Sequence, residues 1–270
     1  MQQAEKEQKQ GSHELSDDVV LGALGSLFRM LAFEEALHAH RKSHESFDRL
    51  IAGPELSVIA GAVAALRRED GVFPSDVDRA AALARGASMQ EVAARTVAWK
   101  FLKVSPTGWH NGAHLVHAAG YAWAAKMKHD DAIALALGPE DVLETGEVHN
   151  ALNFAGVFAL PAIFLVRIRE AALGNLRARA LEYGIHVSSC DGGDAIAVCK
   201  AVRDARARAA SGGGATLLGA VMRTGEHALR DSVDALRKHV VAQKAATIEQ
   251  IEAMREAAVY EAKSAFQGEI

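Results

Sequence analysis

Three short segments carry the side chains best placed for chemistry: Gly138-Pro139-Glu140-Asp141, Arg167-Ile168-Arg169 and Arg223-Thr224-Gly225-Glu226-His227. Each follows a run that reads as a buried strand, and ligands of open parallel sheets bind beyond the carboxyl ends of their strands. Glu140 and Asp141 are hard oxygen donors. Arg167 and Arg169 point to the same side if the strand continues through them, because side chains alternate with a period of two. Two readings of that arginine pair stand open. One is ion pairing with Glu140, Asp141 or Glu144. The other is direct binding of an anionic ligand through forked guanidinium donors.

Other candidates are weaker. His110, His114 and His117 recur at a spacing that could set three imidazoles on one helical face, but no carboxylate accompanies them. They read as surface or interface histidines. His38, His40 and His44 fall at the end of a helix, where polar or cationic residues suit the C-terminal dipole. Cys190 stands near a strand end and reads as a buried thiol.

The elements that must position these residues follow from apolar spacing. Asp17 to about Arg41 reads as an amphipathic helix, with Ser16 as its capping hydroxyl. Helical patterns recur at Glu55–Arg67, Asp76–Arg85, Met89–Phe101, Ala113–Lys126, Glu147–Val157, Arg177–Tyr183 and Thr247–Phe266. A further helix, Asp194–Ala210, is capped by Asp194. Buried strands are predicted at Ala132–Leu137, Ala162–Val166, His186–Cys190 and Thr216–Met222. Gly71 and Pro74 read as breaks. Apolar strands without polar alternation, separated by helices, predict a parallel sheet with helices on both faces. The expected organisation is a disordered polar tail over residues 1–15 and one α/β domain over 16–270, with extra N-terminal helices and a C-terminal helix.

Composition excludes several functions. The 270 residues are 50% apolar and 24% charged, and 30 basic against 34 acidic side chains give a net charge of −4. Nothing there suits a nucleic acid or an anionic membrane. The longest apolar run, Phe154 to Val166, contains Pro161 and falls short of the ~20 residues of a membrane helix. The polar start, MQQAEKEQKQ, has no apolar region of the secretory type, which predicts a cytoplasmic protein. Two cysteines, Cys190 and Cys199, are too few for a disulfide framework or a four-cysteine zinc site.

The stretch His149-Asn-Ala-Leu-Asn-Phe-Ala-Gly-Val-Phe158, followed by Leu160-Pro161 and the strand AIFLV, resembles the alpha subunit of thiamine-diphosphate-dependent 2-oxo acid dehydrogenases. The similarity continues through Gly112-Ala-His-Leu-Val-His-Ala-Ala-Gly120, Phe73-Pro-Ser75, Leu83-Ala-Arg-Gly86, Ala180-Leu-Glu-Tyr-Gly184 and Asp191-Gly192. In order and spacing it covers most of residues 17–266. The resemblance implies the thiamine-diphosphate-binding fold. It also implies an α2β2 heterotetramer with the cofactor at the alpha–beta interface, the beta-type subunit supplying the activating glutamate. The reaction would be decarboxylation of a 2-oxo acid with acyl transfer to lipoamide.

Carried over position by position, the family's cofactor residues are mostly absent. Its Gly-Asp-Gly metal motif falls on Gly138-Pro139-Glu140-Asp141, and its paired asparagine on Arg167-Ile168-Arg169. Its diphosphate-gripping Tyr-Arg pair falls on Asp76-Val77, and a catalytic histidine on Arg79. The arginine and histidine that follow the last strand are matched by Arg223 and His227, which makes His227 the candidate catalytic residue. The remaining vestigial pocket is Gly138, Glu140, Asp141, Arg167, Arg169 and Arg223. Mg²⁺ requires near-octahedral oxygen ligands. A guanidinium ~4 Å from a metal ion repels it by several kcal/mol even at an effective dielectric of ~20. Two loops that cover the cofactor in the family are also shortened here.

No metal site and no cofactor of normal affinity are therefore expected, unless a partner rebuilds the site for thiamine diphosphate and Mg²⁺. The leading expectation is a degenerate alpha-type subunit kept for assembly with a beta-type subunit, or a homodimer. One alternative is an active alpha subunit with a rearranged cofactor site. Another is a binding module for a phosphate-bearing small molecule at Arg167 and Arg169.

Overall fold

The computed structural model describes residues 14–41, 53–94, 96–97, 102–105, 111–222, 225 and 227–267. Five parallel strands form one sheet: β1 (Gly71–Pro74), β2 (Ala134–Pro139), β3 (Ala162–Ile168), β4 (His186–Asp191) and β5 (Thr216–Val221), in the order β1-β2-β3-β5-β4. The register sets Pro74 beside Leu137, Pro139 beside Arg167 and Ile168 beside Val221. Each crossover between parallel neighbours must traverse a face of the sheet, so the helices lie on both faces.

Alternation along the strands divides the core in two. Leu135 and Leu137 of β2, with Ile163 and Leu165 of β3, face one cluster of apolar side chains. Helices α1 (Asp17–Arg41), α2 (Glu55–Ala64), α3 (Ala81–Ala84), α4 (Met89–Ala93), α8 (Ala195–Ala210), α9 (Ala228–Ala242) and α10 (Ile248–Ala265) contribute to it. Ala134, Ala136, Phe164 and Val166 face the opposite cluster. That side is covered by α5 (Ala113–Met127), α6 (Gly146–Val157) and α7 (Leu173–Glu182). Phe164 and the leucines of β2 are fully buried, each worth roughly 1.5–3 kcal/mol of apolar transfer.

Four strands match the apolar runs, with β2 starting at Ala134 and running on to Pro139. The fifth, β1, occupies residues read as breaks. Glycine and proline are tolerated there because β1 is an edge strand of four residues. The helix expected over Glu55–Arg67 stops at Ala64, and the chain then turns into β1. The Asp70 carboxylate fixes that turn, accepting from Arg67 N at 2.7 Å and from Arg206 Nε at 2.7 Å. The pattern over Asp76–Arg85 divides into a 3-10 turn at Asp76–Asp78 and the short α3, because Ser75 Oγ donates to the Asp78 carboxylate and holds the turn back against β1. Helix α4 ends at Ala93; residues 98–101 lie outside the described residues.

The cap expected at Asp194 forms, and a second one is present at Thr247. Asp194 Oδ1 accepts from the amides of Ile196 and Ala197, and Thr247 and Gln250 form a reciprocal capping box at the start of α10. Residues 1–13 of the polar tail lie outside the described residues, whereas Leu15 is already buried. No described helix is long and apolar enough to cross a membrane.

Candidate functional site

The carboxyl ends of β1, β2 and β3 converge on a small polar cluster. Arg167, the sixth residue of β3, is buried, and its Nη1 lies 2.5 Å from Asp78 Oδ1. The Asp78 carboxylate is wholly buried and takes a second hydrogen bond from Ser75 Oγ at 2.5 Å. Asp78 arrives there because it follows β1 directly, in the 3-10 turn that leaves the strand's carboxyl end. The cluster is thus internally neutral: one buried guanidinium, one buried carboxylate and a hydroxyl that donates to the latter.

His114, in the first turn of α5, completes it. The residue is only 3% exposed, and its Nε2 has no hydrogen-bond partner. Burial holds its pKa down at about 4. Proximity to Asp78 opposes that shift, and the neighbouring Arg167 charge adds to it. The imidazole is therefore neutral at pH 7 and presents an unfilled acceptor or donor to the strand ends. Gly138 gives it room: a Cβ there would meet Val142 Cγ1 at 3.1 Å and His114 Nε2 at 3.2 Å.

Arg169 behaves differently from Arg167. Strand β3 ends at Ile168, so alternation no longer applies, and the Arg169 side chain is 76% exposed. It grips Glu140 through Nη2 at 2.6 Å and Nε at 3.2 Å, while its main-chain N–H donates to the same carboxylate at 2.8 Å. Those bonds hold the Glu140 carboxyl below the usual carboxylate range. Glu144 lies 3.7 Å from Arg179, a surface contact of small energetic weight. Asp141 is exposed.

The predicted residues therefore divide. Gly138, Glu140, Arg167 and Arg169 come together at the ends of β2 and β3. The expected ion pairing of Arg169 with Glu140 is present, whereas Arg167 turns inward to Asp78, a partner outside the expected set. His114 is a buried residue of this cluster rather than a surface histidine. His117 is exposed, and His110 and His44 lie outside the described residues.

Arg223 also lies outside the described residues. His227, the residue preceding α9, lines a separate 530 Å³ cleft with Asp191, Asp194, Asp231 and Ser232 at the β4 end of the sheet. Burial and the adjacent Asp191 push the Cys190 thiol up to about 12, and burial pushes Cys199 up to about 11, so neither is poised as a nucleophile. Among the described residues no group of three or more His, Cys, Asp or Glu could hold a metal ion.

The family model for the dehydrogenase E1 component matches residues 26–266. The chain belongs to the dehydrogenase E1 component family. It is 30% identical over 218 residues to the 3-methyl-2-oxobutanoate dehydrogenase subunit alpha of Mycobacterium tuberculosis, a match covering 71% of this chain and 57% of that protein. With the pyruvate dehydrogenase E1 component subunit alpha of Staphylococcus aureus it shares 33% identity over 117 residues, covering 40% of this chain and 32% of the other. The chain thus matches less than two thirds of the length of these relatives. Transketolase from Leishmania mexicana shares the fold, with a TM-score of 0.56 over 94% of this chain and 46% of that chain at 14% identity. Transketolase from Campylobacter jejuni matches with a TM-score of 0.54 at 16% identity, over 90% of this chain and 47% of that one. These neighbours support the thiamine-diphosphate-binding architecture expected from the sequence. This member of the E1 family carries the Arg167–Asp78 pair and a neutral, buried His114 at the strand ends.

Proposed function

We propose that this chain is a non-catalytic alpha-type subunit of the dehydrogenase E1 family, retained to assemble with a beta-type subunit in the cytoplasm. The observation that carries the reading is the buried Arg167–Asp78 pair at the carboxyl ends of β1 and β3. A cofactor diphosphate with its divalent ion brings opposite charges that the protein must match from outside. Here the opposite charges are both supplied by the chain and neutralise each other.

The residues present do not fit Mg²⁺ and thiamine diphosphate. A divalent ion takes oxygen ligands near 2.0–2.1 Å, and the strand-end positions offer a guanidinium, an imidazole, a carboxylate already committed to Arg169 and one exposed carboxylate, Asp141, short of an octahedral oxygen set. Opening the Arg167–Asp78 pair for a ligand would expose each charge to the ~3–5 kcal/mol penalty of losing a buried partner. The same arithmetic weakens the reading of Arg167 and Arg169 as a phosphate site, since each guanidinium already holds a carboxylate.

Titration calorimetry of the chain with thiamine diphosphate and Mg²⁺, alone and with a co-expressed beta-type subunit, tests this function. The expected result is a stable alpha–beta complex with no micromolar, Mg²⁺-dependent binding in either sample. Such binding in the complex would overturn this reading in favour of a rearranged cofactor site. Failure to form a complex would remove the assembly role.

A further inference from the structure

A second cleft, of 590 Å³, opens where the chain enters β1, at the pole of the sheet opposite the Arg167–Asp78 pair. Its volume falls in the ~300–1,000 Å³ range of small-molecule sites. The first turns of α1 form one wall, and the ends of α2 and α3 with Leu102 form the other. The room comes from α1. Gly22 lies inside that 25-residue helix, where glycine costs about 1 kcal/mol against alanine, and no atom stands within 4 Å of where its Cβ would be. Ser26, one turn further on, also lines the cleft and is too small to fill it.

Two arginines line this cleft, and neither is neutralised by a carboxylate among the described residues. Arg85 donates to the carbonyls of Leu102, Arg67, Arg68 and Asp70 at 3.0, 2.9, 2.8 and 3.1 Å. Those bonds occupy four of its five N–H groups and fix the guanidinium, but carbonyls do not cancel its charge. Burial pushes its pKa below the usual value. Asp70 and Glu69 oppose that shift, and the neighbouring Arg68 charge adds to it. Asp70 is already committed to Arg206 at 2.7 Å. Arg68 is exposed, and its side chain makes no hydrogen bond or ion pair among the described residues. On the α1 side Asp18 is likewise exposed and unpaired. Between these charges the lining is apolar, with Val63, Leu66 and Leu102.

We infer that this cleft binds a small amphipathic monocarboxylate, its anionic head on Arg68 beside Arg85 and its apolar body against Val63, Leu66 and Leu102. A carboxylate placed there supplies the missing counter-charge to two guanidinium groups that repel each other, and Arg68 is free to grip it through its forked donors. The lining accounts for the other end of the ligand. Apolar side chains reward a hydrocarbon body, and the unpaired Asp18 on the α1 wall repels a second anionic group. A dicarboxylate is therefore disfavoured where a monocarboxylate is accepted. The site lies at the opposite ends of the strands from Arg167 and His114, so the inference is independent of whether that cluster binds a cofactor.

Equilibrium dialysis of the full chain against octanoate tests it. One saturable site with a Kd of about 1 mM or tighter is expected. Hexanoate, two methylenes shorter, should bind more weakly by up to about 15-fold. Octanamide, which lacks the charge, and octanedioate, which carries a second one, should each bind at least about 10-fold more weakly than octanoate. Arg68→Ala should lose about 10-fold or more in affinity for octanoate, and it leaves the core untouched because Arg68 is exposed. Gly22→Trp puts a large ring into the cleft and should abolish binding while keeping the helical circular dichroism, since the position has open space around it. Leu181→Arg on α7, 83% exposed and outside the cleft, should bind as the wild type does. No saturable octanoate binding by the wild type would overturn the inference. So would octanamide binding as tightly as octanoate, or wild-type affinity in Arg68→Ala or in a folded Gly22→Trp.

Discussion

The Arg167–Asp78 pair makes a quantitative demand on stability. The closest oxygen and nitrogen lie 2.5 Å apart, and the two side chains are 5% and 0% exposed. At an effective dielectric of ~20 the gross attraction is about 7 kcal/mol, set against a desolvation cost of several kcal/mol for each ion. The net contribution of the intact pair is therefore small, but either half alone is expensive. Asp78→Asn strands a buried guanidinium, and Arg167→Met strands a buried carboxylate held only by Ser75 Oγ. Each single variant is expected to lose about 3–5 kcal/mol. For a domain of this size that lowers the melting midpoint by about 6–20 °C. The double variant should recover to within about 2 kcal/mol of the wild type, because no unpaired charge remains. Urea denaturation of all four proteins closes the cycle, with an expected coupling of at least about 3 kcal/mol. Single variants within 1 kcal/mol of wild type, or a double variant as weak as the sum of the singles, would refute a charge-neutral buried pair.

Two further predictions concern neighbouring features. His114 has a pKa of about 4 in the fold against 6.5 in an exposed chain. Between those values the unfolded state binds a proton that the folded state refuses, so stability is complete above pH 6.5 and falls as pH drops toward 4. The loss approaches about 3 kcal/mol, and a His114→Gln variant should show a flatter urea midpoint between pH 6.5 and 4; parallel curves would remove His114 from the acid sensitivity. Gly61 and Gly156 allow close helix approaches, since a Cβ would stand 2.2 Å from Ala195 O and 2.0 Å from Tyr183 O respectively. Alanine at either should destabilise, whereas Gly22→Ala and Gly174→Ala, with open space around them, should stabilise by roughly 0.5–1 kcal/mol; thermal melts that rank the four alike would contradict the packing.

How much of this was legible follows from one strand. Runs such as AIFLV declare themselves because a strand buried on both faces has no polar residue to hide it, and β2, β3 and β5 were readable for that reason. Strand β1 offers only Val72 and Phe73 between a glycine and a proline, and it exists through pairing with β2, 60 residues along the chain. Missing β1 also concealed the partner of Arg167. Once Gly71–Pro74 is a strand, Asp78 follows its carboxyl end, and the rule that selected Glu140 and Arg167 would have selected it too. His114 was obscured by a different cause. A histidine in the first turn of a helix looks solvated until the opposing residue proves to be Gly138, which leaves the volume that buries it.

Arg29 ties α1 to α10. Its guanidinium binds Glu261 through Nε at 2.9 Å and Nη2 at 2.7 Å, and also donates to the carbonyls of Leu83 and Ala87 at 2.8 and 2.6 Å. The two helices meet across 232 positions of sequence, so the apolar face of α1 waits for α10 before it is covered. At ~5–20 residues per second of synthesis, that interval lasts about 10–50 s. During it Leu24, Leu27 and Phe33 are without part of their final packing. A nascent chain in that state carries exposed apolar helix surface for the whole interval, the condition under which growing chains aggregate unless that surface is shielded.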